Sequence, residues 1–137
     1  MGEIRKKVSE MNLEERVLFL GQRDDVNELM CAMDIFVLPS LYEGLPLVGV
    51  EAQSTGVNCL FASSITKELL INENVCSLDI NDTNVWIEKI NNICNNNDYR
   101  ENAWKIIIKA GFDIETSCKE LEKLYYDLEK KYEKKYI

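Results

Sequence analysis

Histidine is absent from the 137 residues. This removes the side chain most often used as a general base and most often found ligating metals. A Cys-x-x-Cys pair is absent as well. The five cysteines, at 31, 59, 76, 94 and 118, are odd in number and widely spaced. They read as reduced thiols in a cytoplasmic setting, with no disulfide framework and no zinc site. No run approaches the ~18 apolar residues of a membrane span. The opening Met1-Gly2-Glu3-Ile4-Arg5-Lys6 has no apolar signal core, and Lys6 stands where a myristoylation motif calls for Ser or Thr. Positive charge is outnumbered, 16 Lys and Arg against 24 Asp and Glu, for a formal net charge of −8. That excludes a nucleic-acid surface, and no nucleic-acid partner is expected.

The length corresponds to one domain by the usual span of ~100–200 residues. Helical stripes alternate with short apolar runs. Strands are expected near 17–20, 35–38, 58–62 and 75–78. The first is a continuous apolar run, as suits a strand buried on both faces of a parallel sheet. Helices are expected over 3–11, from Asp24 or Asp25 as cap to about 33, over 45–55 and closed by Gly56, and briefly over 64–70. Others run from Asp82 or Thr83 through Ile93, over 99–110 up to Gly111, and over about 113–135. The Asn-rich 95–98 reads as a turn. No internal repeat or linker interrupts this order. Alternating strands and helices indicate an α/β class, a three-layer α/β/α sandwich around a Rossmann-like parallel sheet.

One stretch carries the chemistry: Ser40-Leu41-Tyr42-Glu43-Gly44-Leu45-Pro46-Leu47-Val48-Gly49-Val50-Glu51-Ala52. It leaves the 35–38 strand and opens a helix. Gly44 lets backbone approach a ligand closely, and Pro46 suits a first helical turn. The free N–H groups at that helix end favour an anion such as phosphate. Glu43 stands in the loop. Glu51 falls among apolar neighbours, where a carboxylate is costly unless partnered. A ligand's hydroxyl groups would partner it. The same residues also read as a solvated loop glutamate and a carboxylate that caps backbone or meets Arg23.

These residues resemble the E-x7-E signature of retaining glycosyltransferases of the GT-B fold, in particular the family-four enzymes of bacterial capsule and exopolysaccharide synthesis. Residues 17–26, 32–40 and 65–68 extend the likeness, which covers roughly 8–114. The resemblance implies that residues 1–137 are part of the C-terminal, donor-binding domain of such an enzyme. The donor would be a nucleotide-diphospho-sugar, with no cofactor and no metal. Carried onto this sequence, Glu43 faces the donor sugar as the catalytic residue, and Glu51 accepts hydrogen bonds from ribose hydroxyls. The N–H groups of Gly44, Leu45 and Leu47 meet the sugar or diphosphate. Gly21 and Arg23 fall where the base packs, although Arg23 reads first as a surface ion pair.

The chain departs from the family's pattern in four respects. The Arg/Lys pair that neutralises the leaving diphosphate and the N-terminal acceptor domain both precede the matched region, so the isolated chain is expected to be a weak or inactive donor-site fragment. Asn58 stands where proline is common, and Ser64 where an acid is common. A non-catalytic binding or assembly module and an unrelated doubly wound protein are the other readings. In the family the terminal helix packs on the acceptor domain. Here its stripe of Leu121, Leu124, Tyr125, Leu128 and Tyr132 either covers the sheet or stays open to another copy of the chain. Lys130, Lys131, Lys134 and Lys135 add the option of peripheral contact with the inner face of a membrane.

Overall fold

The computed structural model describes residues 2–95 and 101–133. Three runs rich in β-branched and large apolar residues become strands: β1 (Ile35–Leu38), β2 (Asn58–Ala62) and β3 (Val75–Leu78). They form one parallel sheet in the order β1-β2-β3, with Val37 opposite Leu60 and Leu60 opposite Cys76. Central β2 is buried on both faces from Cys59 to Ala62, as a parallel sheet covered by helices requires. The helices are α1 (Gly2–Glu10), α2 (Val26–Ala32), α3 (Leu47–Ser54), α4 (Thr83–Asn95), α5 (Ala103–Lys109) and α6 (Ile114–Glu133).

The α3 helix covers the sheet face that carries Phe61. A Cβ built on Gly49 would stand 3.2 Å from the Phe61 ring and 3.0 Å from both Leu69 methyl carbons. The close approach of helix to strand therefore depends on glycine at this position. On the opposite face, Cys76 lines a shallow cavity with Lys89 and Ile93 of α4. Helix, sheet and helix make the three layers expected. Trp86 anchors α4, its indole N–H donating to the Asp79 carbonyl at 2.8 Å. Buried Gln53 ties α3 to the segment before β3. Its amide donates to the Gly49 and Leu69 carbonyls and accepts from the Ile71 and Asn72 N–H groups. No disulfide joins any of the five cysteines, and burial pushes the Cys59 thiol up to about 12.

Several local expectations are corrected. Residues 17–20 form no strand, and Leu18 is 78 % exposed. A strand needs a ladder, and among the described residues nothing pairs with this run. It lies beside α1 instead, with the Arg5 guanidinium 4.3 Å from the centre of the Phe19 ring. Asp25 occupies the cap position of α2 without making the cap bond. Its carboxylate is held by Arg23 instead. Asp82 does cap α4, accepting from the Val85 N–H at 3.3 Å. The helix expected over 64–70 is a single 3-10 turn, Lys67–Leu69, set off by the Thr66 side chain. Of the helix expected over 99–110, residues 99 and 100 lie outside the described residues; the described helix begins at Ala103, directly after Asn102 in a left-handed conformation that a helix cannot continue through. Residues 96–99 lie outside the described residues, as do Lys134 and Lys135. Every described side chain of α6 is exposed, Leu121 by 51 %, so this helix does not cover the sheet. Among the described residues no helix is long and apolar enough to cross a membrane.

Candidate functional site

In a parallel sheet all strands point the same way, so the loops after β1, β2 and β3 share one edge. Ligands of open α/β sheets bind outside this carboxyl edge. The loop of residues 39–46 leaves β1 there and turns into α3. Glu43 lies within it, half-buried, and its Oε1 accepts from the Ser40 hydroxyl at 3.0 Å. Gly44 is exposed, and a Cβ added to it would meet nothing within 4 Å. Glycine is therefore not required there by packing; it leaves open the space directly in front of the loop. Around it Leu41, Tyr42, Leu45 and Leu47 present exposed apolar side chains.

Pro46 stands at the cap of α3, one residue before the first helical turn where it was expected. It contributes neither a side-chain cap bond nor an N–H. No hydrogen bond from the described residues engages the N–H groups of Gly44, Leu45, Leu47 or Val48, and the Gly49 N–H donates to the Pro46 carbonyl at 2.9 Å. Four donors without a described acceptor, at the positive end of a helix dipole, thus follow Glu43 within five residues. Such a cluster is suited to an anion, and the adjacent carboxylate to a neutral hydroxyl.

The other expected residues fall differently. Glu51 lies in the second turn of α3 but is exposed, and no described side chain partners it. The buried positions of the helix are Gly49, Val50, Ala52 and Gln53, so the apolar sequence around Glu51 does not enclose it. Arg23 is a surface ion pair: its guanidinium donates through Nε to Asp25 Oδ1 at 2.6 Å and through a second nitrogen to Oδ2. That pair holds the Asp25 carboxyl below its usual range and raises the Arg23 guanidinium. Gly21, in a left-handed conformation at φ +69°, follows the unpaired run rather than a strand. Neither Gly21 nor Arg23 hydrogen-bonds to the 39–46 loop. Among the described residues no three His, Cys, Asp or Glu side chains gather where a metal ion would sit.

Two residues of the site carried no signal as functional positions. Ser40 was part of the motif without a role, and Ser64 stood out only as a departure from a pattern. The Ser64 hydroxyl donates to the Ser40 carbonyl at 2.8 Å, joining the loop after β2 to the loop after β1.

A family model described as "Glycosyl transferases group 1" matches residues 1–96. Over 125 residues, 88 % of the chain, the sequence is 33 % identical to the UDP-Gal:α-D-GlcNAc-diphosphoundecaprenol α-1,3-galactosyltransferase of Escherichia coli, covering 32 % of that protein. It is 42 % identical over 57 residues to the N-acetyl-α-D-glucosaminyl L-malate synthase of Bacillus anthracis, covering 42 % of this chain and 15 % of the relative. Among solved structures, sucrose-phosphate synthase of Thermosynechococcus elongatus superposes with a TM-score of 0.80 at 25 % identity, over 91 % of this chain and 33 % of that one. The likeness gives the α/β unit its GT-B type. The chain spans about a third or less of the length of the curated relatives it matches.

Proposed function

Because the chain belongs to the group 1 glycosyltransferases, we propose that its carboxyl edge is the donor site of a retaining glycosyltransferase that uses a nucleotide-diphospho-sugar. The observation that supports this reading most is the loop of residues 39–46. A half-buried carboxylate stands there, and four N–H groups of the loop and the start of α3 have no acceptor among the described residues. The donor is a diphosphate joined to a sugar, so one molecule carries both the anion and the hydroxyls that these groups match. The N–H groups of Gly44, Leu45 and Leu47 receive the diphosphate or sugar. Glu43 accepts from a sugar hydroxyl near the reacting carbon, and Glu51 accepts from the ribose hydroxyls. An exposed Glu51 suits that role, since a nucleoside lying over α3 reaches it without displacing core. Gly21 and Arg23 are retained only as a flank for the base, because Arg23 already has its partner.

In this reading the reaction serves polysaccharide or glycoconjugate assembly, and the transferred group is a hexose, as in the galactosyltransferase relative's name. Stabilising the leaving diphosphate is the largest demand of such a transfer. Transfer itself, with its acceptor site, is therefore assigned to a polypeptide of the relatives' full length, and residues 1–137 alone to donor binding. The setting is cytoplasmic, with contact at the inner face of the membrane through the α6 region. The second reading is a non-catalytic binding or assembly module, favoured by the exposed apolar stripe of α6.

Donor affinity separates the two readings. UDP-galactose should bind the wild-type chain, and Glu51→Gln should weaken it by about 1.5–3 kcal/mol, the usual value of hydrogen bonds to a charged group. Unfolding of the variant should be unchanged, since Glu51 is exposed. An unchanged affinity in Glu51→Gln would remove that residue from the site. No binding of any nucleotide-sugar to the wild type would favour the assembly module.

A further inference from the structure

A carboxylate has two oxygens, and the described residues engage one of them on Glu43. The Ser40 hydroxyl donates to Oε1 at 3.0 Å, and among the described residues no donor reaches Oε2. Behind Ser40 stands a second serine. Ser64 lies 24 residues further on, after β2, and its hydroxyl donates to the Ser40 carbonyl at 2.8 Å. Next to it, the Ser63 N–H donates to the Leu78 carbonyl at the end of β3, also at 2.8 Å. Three strand ends are thereby linked in series, β3 to β2 to β1, and the series terminates on the Glu43 carboxylate.

A glutamate on a loop has several side-chain torsions to fix and a mobile backbone beneath them. Both serines act on these freedoms, one on the side chain and one on the backbone. Displacement by about 1 Å is enough to spoil a catalytic contact. Resting on the donor-site reading above, we propose that Ser40 and Ser64 are positioning residues for Glu43. Ser64 fixes the loop through the Ser40 carbonyl. The Ser40 hydroxyl fixes Oε1, which leaves Oε2 as the oxygen offered to the donor sugar. Neither serine touches the donor; both act through Glu43.

The test is a double-mutant cycle on the 137-residue chain, with UDP-galactose and GDP-mannose as probes in calorimetric titrations. Ser40→Ala should weaken binding about five- to tenfold, less than the loss of a direct hydrogen bond to a charged group, because Ser40 acts only through Glu43. Ser40→Thr, which keeps the hydroxyl, should restore it. In a Glu43→Ala background, Ser40→Ala and Ser64→Ala should have no further effect. Losses that add in the double variants, or no loss in Ser40→Ala, overturn the proposal. A second readout needs no ligand: three-bond couplings of the Glu43 side chain should report one rotamer in the wild type and Ser40→Thr, and averaging in Ser40→Ala. Averaging already present in the wild type overturns positioning. If neither probe binds the wild type, the donor-site reading fails for them, and the couplings still decide whether the serines hold Glu43.

Discussion

Residues 17–20 and strand β2 are short apolar runs of similar length with opposite fates. The first reads Val-Leu-Phe-Leu and has no polar residue; the second opens on Asn58 and includes the small Cys59 and Ala62. Yet Leu60 is fully buried, and Leu18 is 78 % exposed. The difference lies in what surrounds each run. A ladder flanks β2 on both sides, and helices cover both its faces. The 17–20 run has no ladder among the described residues, and it lies beside α1. Two glycines repeat the contrast within ten residues. Gly49 is hemmed in by Leu69 and Phe61, and Gly44 faces open space. Hydrophobicity makes a segment eligible for burial, and partners decide whether it is buried. Where the chain leaves space before a loop, as at Gly44, packing does not require the glycine.

The sharpest way to break this comparison is to truncate both runs. Leu60→Ala should cost about 2–5 kcal/mol, the usual range for a leucine deleted from a packed core. Leu18→Ala should stay within about 0.5 kcal/mol. Urea unfolding measures both, and a large loss at Leu18 would show that the run is packed in solution. The glycine pair should diverge next. Gly49→Ala forces a methyl into the Leu69–Phe61 contact, and should cost about 1 kcal/mol after the gain in helix propensity is subtracted. Gly44→Ala should leave unfolding unchanged and weaken nucleotide-sugar binding, because its methyl would enter the space before the loop.

The smallest effect concerns α6, the part of the fold least supported by packing. Asp113 accepts from the Thr116 hydroxyl at 2.8 Å and the Thr116 N–H at 2.9 Å, which together hold its carboxyl below the usual range. Its folded value is depressed, so its stabilising contribution is complete above the ordinary aspartate value of about 3.9. It is lost as pH falls through the lower, folded value. Helicity followed by circular dichroism should therefore fray at α6 only below about pH 4. Asp113→Asn should flatten that acid transition.

Much of the fold was legible because local and global signals agreed. Strands 35–38, 58–62 and 75–78 appear where their composition put them, and Gly56 and Gly111 close helices in left-handed conformations. The loop carrying Glu43 was legible for the same reason, since strand, glycine, proline and helix succeed one another within a dozen residues. What was not legible depends on distant partners. The apolar 17–20 run looked like a strand because pairing is not written in a strand's own residues. Glu51 looked buried because its helix is apolar, yet the buried positions fall on its neighbours. Gln53 looked like an ordinary helix residue, and its four hydrogen bonds are made mostly with residues 69–72. Ser64 finds its partner only once β2 brings it to Ser40, 24 positions away. Asp25 looked like a cap, and a nearer cation took its carboxylate.

The central claim is that the N–H groups at the start of α3 receive the diphosphate-sugar. The most direct measurement is a titration of 15N-labelled chain with UDP-galactose, following backbone amide shifts. The largest perturbations should fall on Gly44, Leu45, Leu47 and Val48, with smaller ones at Glu43 and Glu51, and the amides of α6 should not move. Perturbations centred on α6 or on residues 17–23, with the 43–48 amides unmoved, would contradict the account.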